Sequence, residues 1–124
     1  MACLYQIQAD GSLGQCWELG HKPLVIGRDD CADVCVEDDA LSRSHFLVVR
    51  QGVDFFVADM NSINGTWVDG EQISARKLHP NDVIMAGRSL FYFSDQPAAA
   101  QVRPAMVPLS RKIEAAARAF PDAA

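Results

Sequence analysis

Three short segments hold the residue types that could do chemistry: Gly27-Arg28, Ser42-Arg43-Ser44-His45 and Asn61-Ser62-Ile63-Asn64-Gly65-Thr66. Each falls between stretches that read as short strands, so all three sit on loops or strand ends. Arg28 offers a planar guanidinium fork, and Gly27 before it lets the backbone turn sharply or approach closely. Ser42 offers a hydroxyl, and Arg43 adds a second cation and a backbone N–H. Asn64 carries an acceptor and donors in one amide, which suits pairing with a ligand's main chain. Gly65 fits a position where a backbone or methyl group must come close. No acid–base pair, metal cluster or glycine-rich phosphate loop accompanies them. This chemistry suits gripping a phosphate and the peptide beside it, not breaking a bond.

Each segment is ordinary on its own. An arginine after a glycine in a loop is commonly a solvated surface residue, and Asn64-Gly65 could be a simple hairpin turn. Ser42 and His45 would need an orienting acid and an oxyanion hole to act as nucleophile and base, and neither is signalled. The order and spacing of the segments within strand-rich sequence carry the inference.

The elements that must position them are β-strands. Residues 3–9 lead through the turn composition Asp10-Gly11-Ser12 toward a strand at residues 16–19. Short apolar runs follow at residues 24–26 and 34–36. Residues 46–49 and 55–57 flank a hairpin at Gln51-Gly52. Residues 66–68 and 71–73 flank Asp69-Gly70, the strongest hairpin signal in the chain. Residues 83–85 and 90–93 flank Ala86-Gly87-Arg88. So many closely spaced strands without helical periodicity predict an antiparallel β-sandwich. Beyond residue 94, a Pro- and Ala-rich linker is expected over 95–109, then a helix over 110–120 capped by Ser110. Ile113, Ala116, Ala117 and Phe120 form one apolar face of that helix, which would dock on the sandwich, dock on a further partner, or fray.

With 124 residues, 49% of them hydrophobic, the chain can bury a real core. A net charge of −5 argues against nucleic-acid or anionic-membrane binding, so any phosphate grip must be local. The start of the chain lacks the basic and apolar regions of a signal peptide, and a cytoplasmic location is expected. Cys31 and Cys35 form a half-site without a second pair of ligands, so no metal or cofactor is expected. Reduced, mostly buried thiols are expected for all four cysteines.

Residues 24–93 resemble a forkhead-associated (FHA) domain, a phosphothreonine-binding β-sandwich. The matching pieces are Gly27-Arg28, the Ser-x-x-His segment Ser42 to His45, and residues 59–66 followed by Trp67-Val68-Asp69-Gly70. With flanking strands, the resemblance covers residues 3–94. It implies an eleven-stranded sandwich of two sheets with the ligand held by loops at one end. It also implies that Arg28 and Ser42 contact phosphate, that Arg43 assists and that Asn64 binds the ligand backbone. His45 would then support the loop carrying Ser42, with Gly27 and Gly65 giving close approach. Ile63 departs from the pattern: its position often carries a hydroxyl, whereas Ile63 has only its backbone N–H and an apolar surface.

The expected function is a phosphothreonine-dependent interaction module in Ser/Thr kinase signalling, not an enzyme. Thr66, the chain's single threonine, makes a poor ligand, so the phosphothreonine is expected in trans. The alternative is a phosphate-independent scaffold that binds its partner constitutively.

Overall fold

The computed structural model describes residues 2–95, which form eleven strands. They are β1 (Cys3–Ile7), β2 (Leu13–Glu18), β3 (Leu24–Gly27), β4 (Val34–Cys35), β5 (Phe46–Gln51) and β6 (Asp54–Asp59). Then come β7 (Thr66–Val68), β8 (Glu71–Ile73), β9 (Ala75–Lys77), β10 (Val83–Ala86) and β11 (Ser89–Ser94). One sheet has six strands in the order β2-β1-β11-β10-β7-β8, the other five in the order β4-β3-β5-β6-β9. The linker and helix expected over 95–109 and 110–120 lie outside the described residues except for Asp95.

Period-two alternation explains the two-layer packing. Leu4, Ile84, Phe91 and Phe93 from one sheet meet Ile26, Phe46, Val48 and Val57 from the other in one interior cluster. Phe46 and Phe91 cross it edge to face, with ring centroids 5.5 Å apart, a favoured aromatic geometry. The core thus clamps the ends of β3, β5 and β7, from which the three loops emerge.

Three expectations need correction. The sandwich is not wholly antiparallel, because β3 and β4 pair in parallel, Ile26 opposite Val34 and Gly27 opposite Cys35. The intervening loop turns the chain back on itself, and the Asp33 carboxylate accepts the Val25 N–H at 2.8 Å to hold the return. Strand β9 was not expected, since Ala75-Arg76-Lys77 has no apolar pattern. It forms by pairing with β6, and buried Leu78 anchors it through an N–H donated to the Phe55 carbonyl at 2.7 Å. The cysteines are mostly exposed: Cys3 is buried, but Cys16, Cys31 and Cys35 face solvent. Cys16 lies on edge strand β2 and the other two on or beside edge strand β4, where little packs over them.

Candidate functional site

Backbone pairing aligns the first two loops. His45 donates its N–H to the Ile26 carbonyl, Arg28 to the Ser42 carbonyl and Asp29 to the Arg43 carbonyl, at 2.9, 3.0 and 3.2 Å. This close approach explains Gly27. A Cβ at that position would lie 2.0 Å from the Arg43 carbonyl oxygen, well inside contact distance. The glycine is there for proximity, not for an unusual turn.

His45 joins all three segments from within. It is fully buried, and its Nδ1 accepts the Ser42 N–H at 3.0 Å. Nε2 therefore carries the proton and donates it to the Gly65 carbonyl at 2.7 Å. The third loop is also organised internally. Asp59 accepts the Ser62 N–H at 3.1 Å, the Ser62 hydroxyl, and the Thr66 hydroxyl at 2.7 Å. Ser62 Oγ in turn accepts the Gly65 N–H at 3.0 Å. Burial pushes the Asp59 carboxyl up, but the bonds from Ser62 and Thr66 outweigh it and hold the group below the ordinary carboxylate range.

This frame sets the outward-facing side chains. Arg28 Nε donates to the Leu41 carbonyl at 3.1 Å, which orients the guanidinium and leaves its two Nη groups for a ligand. Ser42 Oγ accepts the Ile63 N–H at 3.1 Å, so its own O–H proton remains to be donated outward. Asn64 Nδ2 donates to the Ala40 carbonyl at 2.7 Å, leaving Oδ1 as an acceptor. Arg28, Ser42, Arg43, Ile63 and Asn64 line one open cleft of about 580 Å³, together with Asp39. Arg43 is exposed, and the Ile63 side chain, 90% exposed, stands beside the cleft. Gly65 takes φ +86°, and a Cβ there would lie 2.5 Å from Gln72 Nε2.

Four contributors escape sequence reasoning as site residues. Asp59 is the hub of the third loop. The carbonyls of Ala40 and Leu41 aim Asn64 and Arg28, and backbone oxygens leave no trace in side-chain pattern. Asp38 holds the loop before Ser42 by accepting from the Ala40 N–H (2.9 Å), the Arg88 N–H (2.8 Å) and the Ser89 hydroxyl (2.8 Å). Of the acidic residues around the site, Asp29, Asp33 and Asp38 accept such loop hydrogen bonds, and Asp39 lines the cleft itself.

The FHA domain family model matches residues 24–87, more than half of the chain. The FHA domain-containing protein FhaA of Mycobacterium tuberculosis is 32% identical over 83 residues, 67% of this chain and 16% of FhaA. The glycogen accumulation regulator GarA of Mycolicibacterium smegmatis is 31% identical over 96 residues, 77% of this chain and 61% of GarA. The chain spans less than two thirds of the length of either relative. Among solved structures, one from a structural and functional analysis of phosphothreonine-dependent FHA domain interactions superposes with a TM-score of 0.70 at 28% identity. That match covers 77% of this chain and 97% of the other. The FhaA FHA domain, complexed with the intracellular domain of Rv3910, gives a TM-score of 0.68 at 28% identity, covering 75% and 99%. Matched over residues 24–87, which hold strands β3 to β10 and all three loops, this chain belongs to the FHA domain family.

Proposed function

We propose that this chain is an interaction module of Ser/Thr kinase signalling that binds phosphothreonine-containing partners without transforming them. One observation carries the reading: Arg28, Ser42 and Asn64 are each tethered by one hydrogen bond to a neighbouring loop, with further hydrogen-bonding groups left toward a shared cleft. Such preorganisation lowers the ordering cost of binding. A phosphothreonine dianion would take a charge-assisted fork from Arg28, the Ser42 hydroxyl proton and the nearby charge of Arg43. The Asn64 amide would pair with the ligand's backbone, and Ile63 would offer an apolar surface to the neighbouring ligand residue. Among similar structures, FhaA is complexed with a partner's intracellular domain and Mycobacterium tuberculosis EmbR with a low affinity phosphopeptide. These support the same class of ligand here.

The phosphothreonine belongs to another protein or to a segment outside this sequence. Thr66 is fully buried, and its hydroxyl donates to Asp59 inside the site's own frame. A phosphate there would break the loop it was meant to fill.

Calorimetry with phosphorylated and unphosphorylated threonine peptides tests the proposal. The phosphopeptide should bind with a Kd on the order of micromolar, about −8 kcal/mol. Loss of a hydrogen bond to a charged group costs roughly 1.5–3 kcal/mol, so Arg28→Ala should weaken binding at least about tenfold. Equal binding of both peptides, or an Arg28→Ala chain that binds as tightly as the parent, would show that the site is misassigned. A matched phosphoserine peptide should bind roughly fourfold to tenfold more weakly, since it loses one buried methyl group.

A further inference from the structure

Two hairpins of this chain close in the same way and sit in different surroundings. Gly52-Val53 joins β5 to β6 and Gly87-Arg88 joins β10 to β11, each between paired strand ends. Each puts glycine first, at φ +67° and +59°, the arrangement of a type II′ turn. A Cβ on Gly52 would meet nothing within 4 Å. A Cβ on Gly87 would lie 3.0 Å from the Ala40 carbonyl carbon, from the Leu41 nitrogen and from Asp38 Oδ2. The β10–β11 turn is therefore pressed against the backbone of the loop that leads into Ser42.

Hydrogen bonds fix that contact. Asp38 Oδ2 accepts the Arg88 N–H and the Ser89 hydroxyl, both at 2.8 Å. Its Oδ1 accepts the Ala40 N–H at 2.9 Å, and its main-chain carbonyl accepts the Leu41 N–H at 3.0 Å. The peptide group joining Ala40 to Leu41 is the one that a Gly87 Cβ would strike, and its oxygen accepts the Asn64 amide. The next carbonyl along, that of Leu41, accepts Arg28 Nε. A turn 50 residues away thus bears on the two carbonyls that aim Asn64 and Arg28.

We propose that Asp38 and the β10–β11 turn are positioning elements of the phosphothreonine cleft, an inference that rests on the function proposed above. By holding residues 40 and 41 in place, they set the aim of Asn64 and Arg28. The Asp38 carboxylate already accepts three donors of this chain, so it acts through the loop and not on the ligand. Sites that grip a ligand with a few directed groups depend on such support, because small misplacements cost affinity.

Calorimetry with a phosphothreonine peptide, together with side-chain NMR of the unliganded full chain, tests this. By charge alone, removing a carboxylate near a dianion site should tighten binding. Positioning gives the opposite sign: Asp38→Ala should weaken binding about threefold to tenfold, since misaimed donors lose their preorganisation. Gly87→Ala should weaken it similarly. Gly52→Ala, with the same backbone strain but open space around it, should stay within about twofold. Ser89→Ala removes a single hydrogen bond, leaves the turn otherwise intact and should give a smaller loss than Asp38→Ala. In the unliganded chain, Asp38→Ala and Gly87→Ala should shift the Arg28 Nε–H and Asn64 amide signals, and Gly52→Ala should leave them in place. Tighter binding by Asp38→Ala, or unchanged Arg28 and Asn64 signals in Gly87→Ala, would overturn the proposal. So would a loss in Gly52→Ala equal to that in Gly87→Ala. A parent chain that binds no phosphopeptide would overturn the proposed function instead, and the unliganded signals would still decide the positioning role.

Discussion

Asn64-Gly65 and Asp69-Gly70 look alike in sequence and do opposite things. At 69–70 both residues take positive φ, +50° and +90°, and close the tight hairpin between β7 and β8. At 64–65 only Gly65 does, at +86°. The Asn64 amide reaches Ala40, 24 residues away, and the Gly65 carbonyl receives the proton of His45 Nε2. One dipeptide joins adjacent strands; the other ties distant loops around one cleft. The same local preference is used for a turn where strands flank it closely, and for tertiary contacts where buried donors and acceptors wait.

The comparison breaks most severely at His45. Replacing it with alanine strips the Ser42 N–H and the Gly65 carbonyl of their partners and opens a cavity. Unsatisfied buried groups cost about 1–3 kcal/mol each, before any cavity cost. Urea unfolding of His45→Ala should therefore show a loss of about 3–5 kcal/mol, with phosphopeptide binding abolished at the same time. A loss below about 1 kcal/mol with binding intact would mean that the loops hold themselves.

A paired substitution sharpens the contrast between the two dipeptides. Asn64→Ala should weaken phosphopeptide binding about tenfold, about 1.4 kcal/mol, with a smaller effect on stability. Gly70→Ala should do the reverse, since a Cβ at positive φ costs about 1–2 kcal/mol, while affinity stays within about twofold. If Gly70→Ala changes affinity as much as Asn64→Ala does, the two sites are not separate.

Acid should give the smallest effect, through Asp59. Its carboxyl is held below its unfolded value, about 3.8. The stability it contributes is present above that value and is lost as pH falls through the lower folded one. Comparing unfolding of the parent chain with Asp59→Asn from pH 6 down to pH 3 isolates the contribution. The gap between the two should narrow as pH falls, and a gap that widens would reverse the sign.

Most of the strand pattern was legible because apolar residues alternate against turn residues. Asp69-Gly70 is the clearest case. Strand β9 was not legible, since Ala75-Arg76-Lys77 is held by edge pairing to β6 rather than by burial of an apolar face. The parallel pairing of β4 depends on how a loop returns, which local propensity does not encode. Cysteine exposure is not legible for a similar reason: a thiol is buried or open according to what lies over its strand. Among the loop residues that line the cleft, Arg28, Ser42, Arg43 and Asn64 stand out by type and order, and Ile63 only through the family resemblance. The tethers that aim three of them do not, because Leu41 and Ala40 act through carbonyl oxygens and Ile63 through its N–H.

The sequence by itself determined that this is a two-sheet β protein with a local cationic, hydroxyl- and amide-bearing set of loops. Those properties follow from residue type and from a period of two, both of which are local. Only the tertiary structure decided that these loops share one cleft and that His45 links all three. Each of those depends on residues far apart in the chain. Close-packed burial brings such residues together, and every buried donor and acceptor must then find a partner.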